Sequence, residues 1–234
     1  MPGFRYLLFD LDETLINFSD ASRSAFDLFY AKYLANYGLD KKTFYSHYHD
    51  ANMMVWEMFE QGQISIDELK IKRFEWMYLH AGQTIPYDHL DEQSHYYLDS
   101  LIQSTEMIRG AKELIESLAR DYHLNVITNG IYFVQHARMD RLMLKPYFQN
   151  IFISEEIGHS KPSPFFFEHV LNILDGAKTS EVLVIGDSLK ADIKGALQSG
   201  FKACWFNPEG IINTTEFTPH FEIKTWEEFH KILQ

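Results

Sequence analysis

Hydrophobic and polar positions along the chain fall into two repeating patterns. Short apolar runs occupy 6–9, 124–128, 151–153, 182–185 and 203–206, and each stops abruptly at polar residues. Their brevity and their content of branched and aromatic side chains predict buried strands. Between them, 110–122, 131–144, 164–174 and 192–199 carry apolar residues at helical spacing. Strands alternating with helices predict a parallel sheet covered on both faces.

Residues 17–105 break this alternation, with repeated helix signals and no strand. Over 20–37, Phe26, Phe29, Tyr30, Tyr33 and Tyr37 line one helical face, and Gly38 supplies a stop. Ser65 followed by Glu68 fits a capping box opening a helix through Leu69, Phe74, Met77 and Tyr78. Pro86 precedes a last helical stretch over 88–103. The expected fold class is therefore α/β: a Rossmann-like parallel-sheet core from 1–16 and 106–234, interrupted after its first strand by an all-helical cap domain over 17–105.

Composition narrows the class of partner. Apolar residues make up 46% of the chain, including 19 Phe, 13 Tyr and 4 Trp, which is far from the composition of a disordered segment. Lys and Arg total 21 against 33 Asp and Glu, and a formal net charge of -12 repels nucleic-acid polymers. A small anionic ligand is compatible with that charge where a metal ion or a few cationic side chains invert the field locally. Cys204 is the single cysteine, so no intrachain disulfide forms, and its place in an apolar strand predicts a buried structural thiol. Neither a signal peptide nor an apolar run of the ~20 residues that span a bilayer is present, so a cytoplasmic protein with no membrane partner is expected.

Ligands of open α/β sheets bind beyond the carboxyl ends of the strands, which directs attention to the residues that end each run. The first run ends in Asp10-Leu11-Asp12-Glu13-Thr14, the second in Thr128-Asn129-Gly130 and the fourth in Gly186-Asp187-Ser188, with Asp192 a helical turn further on; Lys161-Pro162 follows the third. Residues two apart in extended chain share a face, so Asp10 and Asp12 both face the site. Adding Asp187 crowds the negative charge, and a hard divalent cation such as magnesium relieves it. A carboxylate can attack phosphorus, which makes Asp10 the candidate nucleophile. Asp12, its pKa raised by neighbouring carboxylates, is the candidate acid and base. Thr128, the Asn129 backbone amide and Lys161 are candidate holders of the phosphoryl oxygens, and Gly130 and Gly186 permit close backbone approach.

Phe-Asp-Leu-Asp-Glu-Thr at 9–14, Ile-Thr-Asn-Gly at 127–130, Lys161-Pro162 and Gly-Asp-Ser with Asp192 resemble, in order and spacing, the four motifs of the haloacid dehalogenase superfamily. A helical insert between the first two motifs is similar to its subclass with a C1 cap. The resemblance implies Asp10 as nucleophile, Asp12 as acid/base and backbone magnesium ligand, and Asp187 as side-chain magnesium ligand. It also implies Asp192 as a group orienting a coordinated water or Lys161, and a cap that closes over the substrate and selects the leaving group. Having Asp at 12 favours phosphate esters over haloacids. Glu13, where many members carry Gly, together with Ile-Ser-Glu-Glu-Ile-Gly at 153–158 and Cys-Trp at 204–205, is similar to the pyrimidine 5′-nucleotidases. A nucleoside monophosphate, such as deoxyuridine or deoxythymidine monophosphate, is then the expected partner. The alternatives are a sugar-phosphate phosphatase or phosphomutase on the same machinery and, from another class, a phosphoacceptor signalling module. An acid at position 12, which speeds phosphoenzyme breakdown, argues against the module.

Overall fold

The computed structural model describes residues 3–233. One sheet contains β1 (Tyr6–Phe9), β2 (His123–Thr128), β3 (Asn150–Ile153), β4 (Val182–Gly186), β5 (Lys202–Phe206) and β6 (Phe221–Ile223). Its order is β3-β2-β1-β4-β5-β6, with all neighbours parallel. The helices are α1 (Phe18–Phe29), α2 (Lys41–Glu60), α3 (Ile66–His80), α4 (Leu90–Gln103), α5 (Ala111–Leu118), α6 (Tyr132–Arg141), α7 (Ser154–Ile157), α8 (Pro164–Ile173), α9 (Lys194–Gln198) and α10 (Trp226–Leu233). Among the described residues, none is long and apolar enough to cross a membrane.

β1 is apolar throughout because both of its faces are covered. Leu7 and Phe9 enter one cluster with Val126, Leu183 and Ile185, covered by Leu114 and Ile115 of α5 and Phe229 of α10. Tyr6 and Leu8 enter the other with Ile127 and Val184, covered by Phe166 and Val170 of α8 and Ala196 of α9. Burial of each such large side chain is worth about 1.5–3 kcal/mol, so the central strands are the most firmly fixed part of the sheet. β6, three residues long at the sheet edge, carries no apolar run and was not anticipated.

The chain forms two compact units, one taking it up to Phe18 and from Glu106 onward, the other Ser19–Thr105. Where the core chain breaks off and resumes, Asn17 N–H donates to Glu106 O at 3.1 Å and Ile108 N–H to Leu15 O at 2.9 Å. Ile16 and Met107 form an antiparallel bridge between these bonds. The helical unit is built around aromatic rings: Phe29 stacks on Phe74 at 4.8 Å, and Tyr48 lies 5.2 Å from Tyr97. The Tyr97 hydroxyl pairs with Ser22 at 2.8 Å, so its polar end is satisfied inside the bundle. Trp56, Phe59 and Trp76 pack around Val55, Ile64 and Leu69. The capping box at α3 is present with both halves, Glu68 N–H to Ser65 Oγ and Ser65 N–H to Glu68 Oε2.

The stripe expected over 20–37 is interrupted. A π-helical turn at Tyr30–Leu34 follows α1, and its extra residue rotates the buried face. Phe26 and Phe29 are buried as expected, but Leu34 then takes the inward position while Tyr30, Tyr33 and Tyr37 are half-exposed. Tyr33 spends its hydroxyl on Glu92 at 2.9 Å, outside the core.

Candidate active site

Register alone brings the candidate residues together. Phe9 lies opposite Val126 on one side and Ile185 on the other, so the chain segments after β1, β2 and β4 emerge side by side. Asp10 follows, its N–H donating to Ile185 O at 2.9 Å. Lys161 reaches in from the loop after α7, with Nζ 2.6 Å from Asp10 Oδ1, 2.7 Å from Asp192 Oδ1 and 3.1 Å from Ile127 O. Three acceptors match the three N–H bonds of an ammonium group. The Asn129 side chain pins this loop: its Nδ2 donates to Lys161 O at 2.9 Å and its Oδ1 accepts from Lys161 N–H at 2.8 Å. Asp187 is fixed by its neighbours, its N–H donating to Thr14 Oγ1 at 3.1 Å and its carbonyl accepting from Trp205 Nε1 at 2.7 Å. Ser188 caps the turn that carries Asp192 through Ala191 N–H at 3.0 Å, as its position after a strand predicts.

Asp10, Lys161 and Asp192 are all buried, which makes the electrostatics severe. Burial alone would depress the Lys161 ammonium, but Asp10 and Asp192 outweigh it and hold it charged beyond its usual range. Burial pushes the Asp10 carboxyl up, Lys161 partly opposes this, and Asp192, Asp187 and Asp12 add to the rise. Asp187 is pushed up to about 7 by burial first and by Asp192 next. Asp10, Asp187 and Asp192 each offer a carboxylate oxygen, all within 4.8 Å of one another. This donor set suits a hard cation, since only oxygen is offered and one lysine does not neutralise three acids. The two oxygens of Asp192 are engaged by Lys161 and by Ser188 N–H at 3.1 Å, which leaves Asp10 and Asp187 as the better ligands. Cys204 is buried and burial raises its pKa, in keeping with an inert thiol.

Asp12 departs from expectation. Its side chain is not among the three mutually close acids, and its direct partner is a cation: Arg138 Nη1 lies 2.6 Å from Asp12 Oδ1. Gln135 Nε2 donates to Asp12 Oδ2 at 2.8 Å. Arg138 and Gln135 of α6 are therefore the direct side-chain partners of Asp12, which the sequence did not reveal. Gln135 and Arg138 were missed because polar residues on a helix ordinarily face solvent. The available signal was their three-residue spacing between Val134 and Met139, which places all four on the buried face.

The two glycines expected to permit close backbone approach are closely approached by the protein's own side chains. A Cβ at Gly186 would collide with the Asp192 carboxylate, and one at Gly130 with the Gln135 amide. Glu13 sits in left-handed backbone at φ 57°, which is the conformation glycine adopts without cost and explains why Gly suits this position. Glu13 also adds to the negative field at Asp187. Glu13→Gly is expected to stabilise the metal-free protein by about 0.5–1 kcal/mol, read as a raised thermal midpoint. A lowered midpoint would show that the Glu13 side chain contributes more than its backbone costs.

The fold and site define an α/β protein with a buried carboxylate-lysine centre at the strand ends. Residues 7–206 match the model of the haloacid dehalogenase-like hydrolases, and the chain belongs to that family. It is 34% identical over 227 residues to the pyrimidine 5′-nucleotidase PynA of Streptococcus pneumoniae, covering 96% of this chain and 93% of PynA. Against the HAD-hydrolase YfnB of Bacillus subtilis the identity is 33% over 233 residues, covering 100% and 97%. The pyrimidine 5′-nucleotidase YjjG of Escherichia coli is 28% identical over 235 residues, covering 97% of each. A crystal structure of YfnB bound to magnesium matches the fold with a TM-score of 0.86 at 32% identity over 99% of both chains.

Proposed function

We propose that this protein hydrolyses the phosphate ester of pyrimidine nucleoside 5′-monophosphates through an aspartyl phosphate on Asp10. The observation that carries the chemistry is the buried Asp10–Lys161–Asp192 arrangement, which holds an acid at a strand end against a fixed cation. A carboxylate oxygen of Asp10 attacks phosphorus, the bond to the leaving oxygen breaks, and that oxygen takes a proton from Asp12. Water then attacks the aspartyl phosphate, gives its proton to Asp12, and the electron pair of the broken bond returns to Asp10. Thr128 Oγ1 accepts from Gly130 N–H at 3.1 Å and from Gln135 Nε2 at 2.8 Å, so both lone pairs are used and its O–H is left to donate to a phosphoryl oxygen. The Asn129 N–H completes the donor set, and the Lys161 ammonium, whose three N–H bonds are already taken, contributes its positive charge beside the phosphoryl group. Asp10 and Asp187, with the Asp12 backbone carbonyl, would hold a magnesium ion, and that ion supplies further neutralisation of the phosphoryl oxygens. Asp192 keeps Lys161 in place through its 2.7 Å contact.

The choice of pyrimidine nucleotides is supported by the whole-length similarity to PynA and YjjG and by Glu13. A panel of monoesters assayed with magnesium tests it. The highest kcat/KM is expected on uridine, deoxyuridine or deoxythymidine monophosphate, whereas turnover confined to hexose phosphates would sink the nucleotidase reading and favour the sugar-phosphate one.

A further inference from the structure

Resting on the phosphomonoesterase reading, we infer that Gln135 and Arg138 are positioning residues that set the Asp12 carboxyl relative to the phosphoryl-holding Thr128. Four observations converge on Gln135. Its single amide nitrogen serves two acceptors, Asp12 Oδ2 and Thr128 Oγ1, each at 2.8 Å. Its Oε1 accepts from Arg138 Nη1 at 2.9 Å, and that same nitrogen lies 2.6 Å from Asp12 Oδ1, closing a ring of three side chains. Residue 130 has to be glycine for the amide to occupy its place. Both Gln135 and Arg138 are 1% exposed, so neither exchanges these partners for water.

The consequence is geometric. A carboxyl that transfers a proton to a leaving oxygen has to stand at a fixed place relative to the phosphorus, and the phosphorus is placed in part by Thr128. One rigid amide bridging the two fixes that separation. Arg138 holds the second Asp12 oxygen, which removes rotation about the carboxyl axis. Each carboxyl oxygen has two lone pairs, so a proton is carried on Asp12 while both contacts persist.

The test is the dependence of rate on the leaving group. An alkyl ester such as uridine monophosphate or ribose 5-phosphate needs its leaving oxygen protonated, while p-nitrophenolate departs as the anion. In Gln135→Met, kcat on the alkyl ester is expected to fall about 10–100-fold, within the range a general acid contributes. That fall should exceed the one on p-nitrophenyl phosphate by about tenfold or more, with KM changing much less than kcat. Arg138→Lys, which keeps a cation beside Asp12, should retain more alkyl-ester activity than Arg138→Met. Equal losses on both classes of ester, or no loss in Gln135→Met, overturn the positioning role and leave the functional reading standing. A wild-type protein inert toward every monoester overturns both.

Discussion

Asp10→Asn is expected to lower kcat by about 10⁴-fold or more on every monoester, because an amide oxygen does not form the covalent intermediate. The substitution is nearly isosteric, and Lys161 keeps its contacts with Asp192 and the Ile127 carbonyl. The fold should therefore survive, with a cooperative thermal transition and an unchanged far-ultraviolet circular dichroism spectrum. Removing one of three crowded acids also relieves repulsion that burial intensifies. The informative comparison is turnover against folding in the same sample. Activity within tenfold of wild type in a folded Asp10→Asn protein would remove the central claim.

Chelation carries the second large effect. EDTA is expected to abolish turnover and magnesium to restore it, with a thermal signature that depends on pH. Asp187 keeps its proton up to about pH 7 in the folded metal-free protein, far above the ordinary carboxyl range. Between about pH 4 and pH 7 the folded state then binds more protons than the unfolded chain, so stability from this group is fully present at the acid end and is lost as pH rises through 7. Magnesium binds the ionised carboxylates and acts in the opposite sense. The rise in thermal midpoint on adding magnesium should be larger at pH 7.5 than at pH 5.5. Asp187→Asn should flatten the difference, which separates Asp187 from acids elsewhere in the chain. A magnesium shift of equal size at both pH values, or turnover indifferent to EDTA, would count against a metal at this centre.

Much of the core was legible because its signals are local. Three of the five apolar runs, 6–9, 124–128 and 182–185, stop at the proposed site residues, and the same polar punctuation that ends a strand places Asp10, Thr128 and Asp187 beside one another once the sheet forms. Lys161 was legible only through the company it keeps. What could not be read was anything that depends on which face of a helix meets the sheet. Gln135 and Arg138 belong to that kind, as does the close approach of the Gln135 amide to Gly130. α2, the 20-residue helix, was hidden for a related reason. Phe44, Tyr48, Ala51 and Val55 follow helical spacing on its buried face, but Met53, Met54 and Trp56 lie outside that stripe and blur it. The π-helical turn at Tyr30–Leu34 is a one-residue insertion with no compositional mark.

The rung between Ile16 and Met107 gives the helical unit the status of a graft at the tip of a hairpin. With Asn17 bonded to Glu106 and Leu15 to Ile108, the two ends of the inserted stretch are already tied together by core residues. Spanning that gap with the whole insert rather than a tight turn costs the core only about 3 kcal/mol of loop-closure entropy. The sheet therefore accommodates an insert of this length at little cost, because the bonds that close the junction are made by core residues and not by the helices.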